Sequence, residues 1–132
     1  MSRIAIIGAG AWGTGLSIVL GRKGRHHVQL WALEKEVRDA ISFRRVNELF
    51  LPGCSVPIDV TVTGSFDEAL HGAEIVVSVM PSQHCRRLFE QMRPRLQPEM
   101  LIVSATKGLE EDTFLRMTEV ILQVIEIGRA HV

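Results

Sequence analysis

A chain of 132 residues is the size of one globular domain with a proper core. Its 46% hydrophobic and 23% charged residues are those of an ordinary soluble protein, and 15 basic against 15 acidic side chains argue against a nucleic-acid or other polyanionic partner. Cys54 and Cys85 have no metal-ligand spacing and no further cysteines beside them, so they read as reduced thiols in a cytoplasmic protein, with no metal site.

The first predicted strand is Arg3–Ile7, and it breaks into Gly8-Ala9-Gly10-Ala11-Trp12-Gly13 and then an apolar-periodic stretch, Leu16 to Leu20. Strand, glycine turn and helix in that order is the context that a G-x-G-x-x-G dinucleotide fingerprint requires. Gly8 lets the chain turn off the strand, and Gly10 lets the backbone approach a pyrophosphate with no Cβ in the way. Gly13 lets the helix lie close to the sheet, so that its free amides and positive end face the phosphates. The uncharged run Ile4–Gly21 is 18 residues, long enough on length alone to span a bilayer. Its five glycines and the lack of a small-residue cleavage site argue against a membrane span or signal peptide.

The first helix is expected from Trp12 to Arg22, ending in a Gly21/Gly24 loop, with the basic cluster Arg22-Lys23-Arg25 solvated. His27–Trp31 alternates as a second strand, Glu36–Arg45 reads as a helix, and Asn47 to Pro57, broken by Pro52-Gly53, reads as irregular. Val60–Thr63 is a third strand. Ser65 should cap the next helix, with Asp67 and Glu68 in its first turn. Ile75–Val79 is a continuous apolar run, as in a central parallel strand. Pro81-Ser82 opens a helix that stops near Arg93-Pro94, with Arg86-Arg87 on a solvated face. Leu101–Val103 is a fifth strand, and Thr113 to about Ile125 an amphipathic helix.

Strands alternating with helices predict an α/β, Rossmann-like doubly wound parallel sheet of five strands, in the order 3-2-1-4-5. The first and fourth strands then meet at the switch point. Gly8–Gly13, Met80–His84 and Thr106-Lys107-Gly108 converge there at the carboxyl edge, where such sheets bind ligands.

Glu34 lies 21 residues after Gly13, just past the second strand, where an acid hydrogen-bonds the adenosine ribose and repels a 2′-phosphate. NAD is therefore favoured over NADP, although Lys35 beside it could accommodate a phosphate and Glu34 could simply be a solvated helix start. Leu33 would wall the adenine. Lys107, between a strand end and Gly108, is placed to attract an anionic or carbonyl substrate, or is an exposed loop lysine. Trp12 could shield the nicotinamide side or only cover the helix start. Pro81 lies at the same edge, Ser82 reads as a helix cap, and His84 could touch the nicotinamide half. Phe50 is a loop anchor or part of the crevice floor.

Four segments together carry a resemblance: Gly8–Thr14, Asn47-Glu48-Leu49-Phe50-Leu51-Pro52-Gly53, Val79-Met80-Pro81-Ser82, and Ala105-Thr106-Lys107-Gly108-Leu109-Glu110. They resemble the NAD(P)-dependent glycerol-3-phosphate dehydrogenases, in the family's order and spacing from Met1 to about Ile125. The resemblance implies that Ala11, Trp12, Leu33, Phe50 and Lys107 contact an NAD or NADP cofactor, and that Lys107 also reaches a small phosphorylated substrate. It implies hydride transfer between nicotinamide and dihydroxyacetone phosphate or glycerol 3-phosphate, supplying the phospholipid backbone, with a homodimer as an option for the full-length enzyme. Two positions depart from the pattern. Ala11 stands where bacterial members often have serine, and Glu34 where they often have a basic residue or aspartate. Another two-domain hydroxy-acid or sugar-acid dehydrogenase and a non-catalytic dinucleotide sensor remain as alternatives.

The resemblance further implies a sixth strand and a helical domain carrying the main catalytic lysine, so no catalytic residue is expected within this chain. Residues 1–125 read as the cofactor domain. Ile127–Val132, with Glu126, match a translated sequencing adapter and read as a non-native tail; the alternative is a helix end capped by Gly128.

Overall fold

The computed structural model describes the backbone from Ser2 to Ala130 and side chains as far as Glu126. Among the described residues, seven strands and five α-helices follow in order: β1 (Arg3–Ile7), α1 (Ala11–Gly21), β2 (His27–Trp31), α2 (Lys35–Arg44), β3 (Val46–Asn47) and β4 (Leu51–Ser55). Then come β5 (Val60–Thr63), α3 (Phe66–Leu70), β6 (Ile75–Ser78), α4 (Cys85–Met92), β7 (Leu101–Ser104) and α5 (Met117–Ala130). The main sheet runs β5-β2-β1-β6-β7, all parallel, which is the expected order with the hairpin β3–β4 set apart.

The period of two along β1 explains the layers. Ile4 and Ile6 point to one face, where they meet Val28, Leu30, Val37, Ile41 and Val60. Ala5 and Ile7 point to the other, into a larger core with Val76, Leu70, Leu88, Phe89, Met92 and Val120. A strand buried on both faces must be apolar on both, and β1 is so from Ile4 to Ile7, with only Arg3 exposed at its start. β1 pairs with β2 on one side (Ile6 opposite Leu30) and β6 on the other (Ile6 opposite Val77), so its carboxyl end is the centre of the sheet edge.

Helix α1 lies against the sheet through small residues. Its buried positions are Gly13, Thr14, Ser17 and Gly21, while Leu16, Ile18 and Leu20 are only partly buried. A Cβ on Gly21 would come within 2.5 Å of Val60 Cγ2, so the approach is close enough to need glycine. The two buried hydroxyls are satisfied locally: Thr14 Oγ1 donates to Ala9 O and Ser17 Oγ to Thr14 O. Ser65 caps α3 as expected, accepting from Glu68 N at 3.3 Å.

Several expectations are corrected. The segment 47–57 is not irregular: β3 and β4 pair antiparallel, and Pro52 and Gly53 sit in an exposed two-stranded ribbon where a missing ladder donor is tolerated. The last helix starts at Met117 and not at Thr113. Thr113 Oγ1 instead accepts from Leu115 N and donates to Glu110, and such local bonds compete with the first helical turn. Ser82 caps no helix; Ser82–His84 form a 3-10 turn, and α4 begins at Cys85 without a side-chain cap. Arg86 is not solvated but ion-paired. Helix α5 continues through Gly128 to Ala130, so no cap forms at Gly128, and His131 and Val132 lie outside the described residues. Among the described residues, no helix is long and apolar enough to cross a membrane.

Candidate functional site

A cleft of about 590 Å³ opens at the carboxyl edge of the sheet between β1 and β6. Every residue singled out for the site lines it. Gly8, Gly10, Ala11, Trp12 and Gly13 come from the β1–α1 turn, Leu33 and Glu34 from the end of β2, and Phe50 from the hairpin. Pro81 and His84 follow β6, and Lys107 follows β7. Thr106, from the converging segment, lines it too; Trp31 and Leu88 also line it, and nothing in the local sequence marks those two for this place.

The glycines of the turn answer to different demands. Gly8 has φ +122°, and a Cβ there would lie 2.9 Å from Met80 N and Val79 C. At Gly13 a Cβ would lie 1.9 Å from Gly8 O, backbone against backbone. Gly10 is ordinary extended backbone (φ −70°, ψ −170°), and a Cβ there meets no protein atom within 4 Å. The fold needs Gly8 and Gly13. At Gly10 it leaves open room, as a cradle for a bound pyrophosphate would. The first bond of α1 is Thr14 N to Gly10 O, so the amides of Ala11, Trp12 and Gly13 precede it, and no side chain caps them. Free amides at the positive end of a helix fit an anionic group.

Asn47, buried in the hairpin, joins this turn to the cleft's far wall. Its Nδ2 donates to Ala9 O at 2.7 Å and to Thr14 Oγ1 at 2.8 Å, and its Oδ1 accepts from Phe50 N at 3.2 Å. One amide thus fixes the glycine turn and Phe50 together. The sequence offered only its place before Phe50; the pairing across 38 residues is tertiary. Trp12 is 64% exposed, with its indole at the cleft and not folded under the helix.

Lys107 is exposed on a loop anchored on both sides. Thr106 Oγ1 donates to Ser78 O at 3.2 Å, tying the loop to the end of β6. Downstream, Arg86 donates twice to the Glu110 carboxylate, at 2.8 and 2.9 Å, and Thr113 Oγ1 donates to it at 2.6 Å. Among the described residues, Lys107 itself has no side-chain partner. An ammonium group held beside a cleft with its charge uncommitted suits an anionic ligand.

The Arg86 bond, followed by that of Thr113, holds the Glu110 carboxyl at about 2, down from the usual 4.5. A carboxyl lowered on folding stabilises the fold above its unfolded value and stops doing so as pH falls through the folded one. The stabilisation is therefore complete above about pH 4.5 and lost toward pH 2. Glu110→Gln should flatten the acid limb of the stability curve in that window. At neutral pH it should cost roughly 1 kcal/mol, as expected for a bidentate pair near the surface. Thermal melts at stepped pH measure both; an unchanged acid limb would show that the pair is not closed in solution.

Residues 3–132 match the family described as the NAD-dependent glycerol-3-phosphate dehydrogenase N-terminus. A protein of Koribacter versatilis named glycerol-3-phosphate dehydrogenase (NAD(P)+) is 65% identical over 95% of this chain, and one of Acidobacterium capsulatum with the same name is 48% identical over 95%. The crystal structure of glycerol-3-phosphate dehydrogenase from Coxiella burnetii superposes with a TM-score of 0.86 at 32% identity, covering 94% of this chain. These matches cover 37%, 38% and 38% of the respective proteins, so the chain spans little more than a third of their length.

Proposed function

Because the chain belongs to the NAD-dependent glycerol-3-phosphate dehydrogenase family, as its N-terminal part, we propose that it is the cofactor-binding domain of an enzyme interconverting dihydroxyacetone phosphate and glycerol 3-phosphate. The observation that carries this reading is one shared cleft: three loops far apart in sequence bring a glycine cradle, a carboxylate and an uncommitted lysine to one sheet edge. Bound nicotinamide dinucleotide would supply the hydride chemistry. The protein's part is to hold and orient. The amides of Ala11–Gly13 face the pyrophosphate, Leu33 lies against the adenine, and Glu34 accepts from the ribose hydroxyls. Trp12, Phe50, Pro81 and His84 border the nicotinamide half, and Lys107 attracts the phosphorylated substrate.

The main catalytic lysine belongs, on the family resemblance, to sequence outside these 132 residues. Cytoplasmic location fits two unpaired cysteines, Cys54 exposed and Cys85 buried. Homodimerisation of the full-length enzyme rests on the resemblance alone.

Titrating NADH and NADPH against the chain, with melting temperature as readout, tests the cofactor assignment. Bound ligand should raise the melting temperature, because it stabilises only the folded form. NADH should bind more tightly than NADPH by about 1–3 kcal/mol, since Glu34 both attracts a free 2′-hydroxyl and repels a 2′-phosphate. Glu34→Arg should reverse the order. No shift with either dinucleotide in a folded sample overturns the binding assignment; equal or tighter NADPH binding by the unaltered chain overturns the role of Glu34.

A further inference from the structure

We propose that Arg38 and Gly64 together set which dinucleotide the cleft prefers: Gly64 seats the Arg38 guanidinium on the carbonyls of Ala32 and Leu33, locking the turn that carries Leu33 and Glu34. The inference rests on the reading that this turn receives the adenosine half of the cofactor. Neither residue lines the cleft, and neither was singled out from the sequence.

The turn is pinned from several sides. Ala32 N donates to Thr63 O at 2.9 Å, and Arg38 N to Glu34 O at 3.2 Å. Arg38 then donates through one terminal nitrogen to two consecutive carbonyls, Ala32 O at 2.9 Å and Leu33 O at 2.8 Å. Fixing both peptide planes fixes the backbone on which the Leu33 and Glu34 side chains stand. The guanidinium lies against Gly64, where a Cβ would come within 2.8 Å of NH1, 2.9 Å of Cζ and 3.0 Å of Nε. Gly64 is not among the positive-φ residues, so its backbone conformation does not demand glycine. The arginine does.

The arrangement also decides where charge is available. Two cations follow Glu34 in the first turn of α2. Lys35 pairs with Asp39 at 3.1 Å, with the two side chains 79% and 49% exposed. Such a surface pair is weak and yields easily to a better anion. Arg38 is committed through one nitrogen to two carbonyls, with its planar guanidinium seated close against Gly64, and does not yield as easily as an exposed pair. With the stronger cation withdrawn, Glu34 can accept from a hydroxyl and repel a phosphate. Release of Arg38 would weaken the first effect and oppose the second.

The experiment measures binding of ADP-ribose and of 2′-phospho-ADP-ribose by calorimetry to the unaltered chain and to Gly64→Ala, Arg38→Lys and Arg38→Ala, each checked for folding by melting. Gly64→Ala should lower ADP-ribose affinity roughly 3- to 10-fold, about the worth of one ordinary hydrogen bond from a turn no longer held. It should strengthen the 2′-phosphate form, because the displaced cation stays in the chain. Arg38→Lys keeps charge but not the planar fork, and should behave likewise. Arg38→Ala should lose ADP-ribose affinity with no gain for the 2′-phosphate form. That contrast between variants is not produced by general loosening. In an Arg38→Ala background, adding Gly64→Ala should change nothing further, since no guanidinium remains to displace. The proposal is overturned if Gly64→Ala binds both ligands as the unaltered chain does, or if the two substitutions simply add. If the folded, unaltered chain binds neither ligand, the adenosine reading itself fails, and the proposal with it.

Discussion

Gly10→Val should abolish dinucleotide binding, with at least a 100-fold loss of affinity, while the chain stays folded. A side chain there meets no protein atom within 4 Å, and the extended backbone accepts any residue. The cost to folding is limited to a poorer helix cap, about 1 kcal/mol or less. The ligand bears the rest, because the added methyls fill the space in front of the α1 amides where the pyrophosphate would lie. Gly13→Ala is the opposite case. Its Cβ would sit 1.9 Å from Gly8 O, and neither backbone can give way without lifting α1 off the sheet. A loss of about 3 kcal/mol or more follows, at the upper end for overpacked cores. Melting and NADH titration of both variants separate a residue kept for the ligand from one kept for the fold. If Gly10→Val binds NADH normally, the turn does not cradle the pyrophosphate.

Lys107→Ala should cut turnover about 100-fold or more in an enzyme carrying this domain together with the rest of the family's length, roughly 3 kcal/mol of transition-state stabilisation. The ammonium group would act on the substrate's charge and on the oxygen where charge builds during reduction. Cofactor affinity should change only a few-fold, because the phosphate cradle and the Glu34 turn lie on other loops. The Thr106 and Arg86–Glu110 anchors should keep the loop in place, so the effect should not come from collapse. Steady-state kinetics with dihydroxyacetone phosphate, alongside NADH titration, supplies both numbers. Near-normal catalytic efficiency would make Lys107 an ordinary loop lysine.

The parallel sheet and its strand order were legible from local signals. A β-branched run before glycine marked β1, an unbroken apolar run marked β6, and alternation of strand with helix left few topologies. Candidate residues were legible where a motif sits directly on a strand end, as at Gly10, Glu34 and Lys107. Sequence reasoning failed where the partner was distant. Pro52 and Gly53 read as breakers because nothing local shows that their neighbours pair with Val46 and Asn47. Arg86 read as solvated because its acceptor lies 24 residues away.

By itself, then, the sequence determined the fold class, the strand order and the sheet edge at which the cleft opens. These depend on hydrophobic period and glycine placement, which act over a few residues. Only the tertiary structure decided how the site is held: Asn47 across to Ala9, Arg86 to Glu110, and Arg38 seated on Gly64. The physical reason is that a polar side chain's pattern does not name its partner. A buried amide or guanidinium must find acceptors, but which carbonyls it finds is settled only when the chain has closed around it.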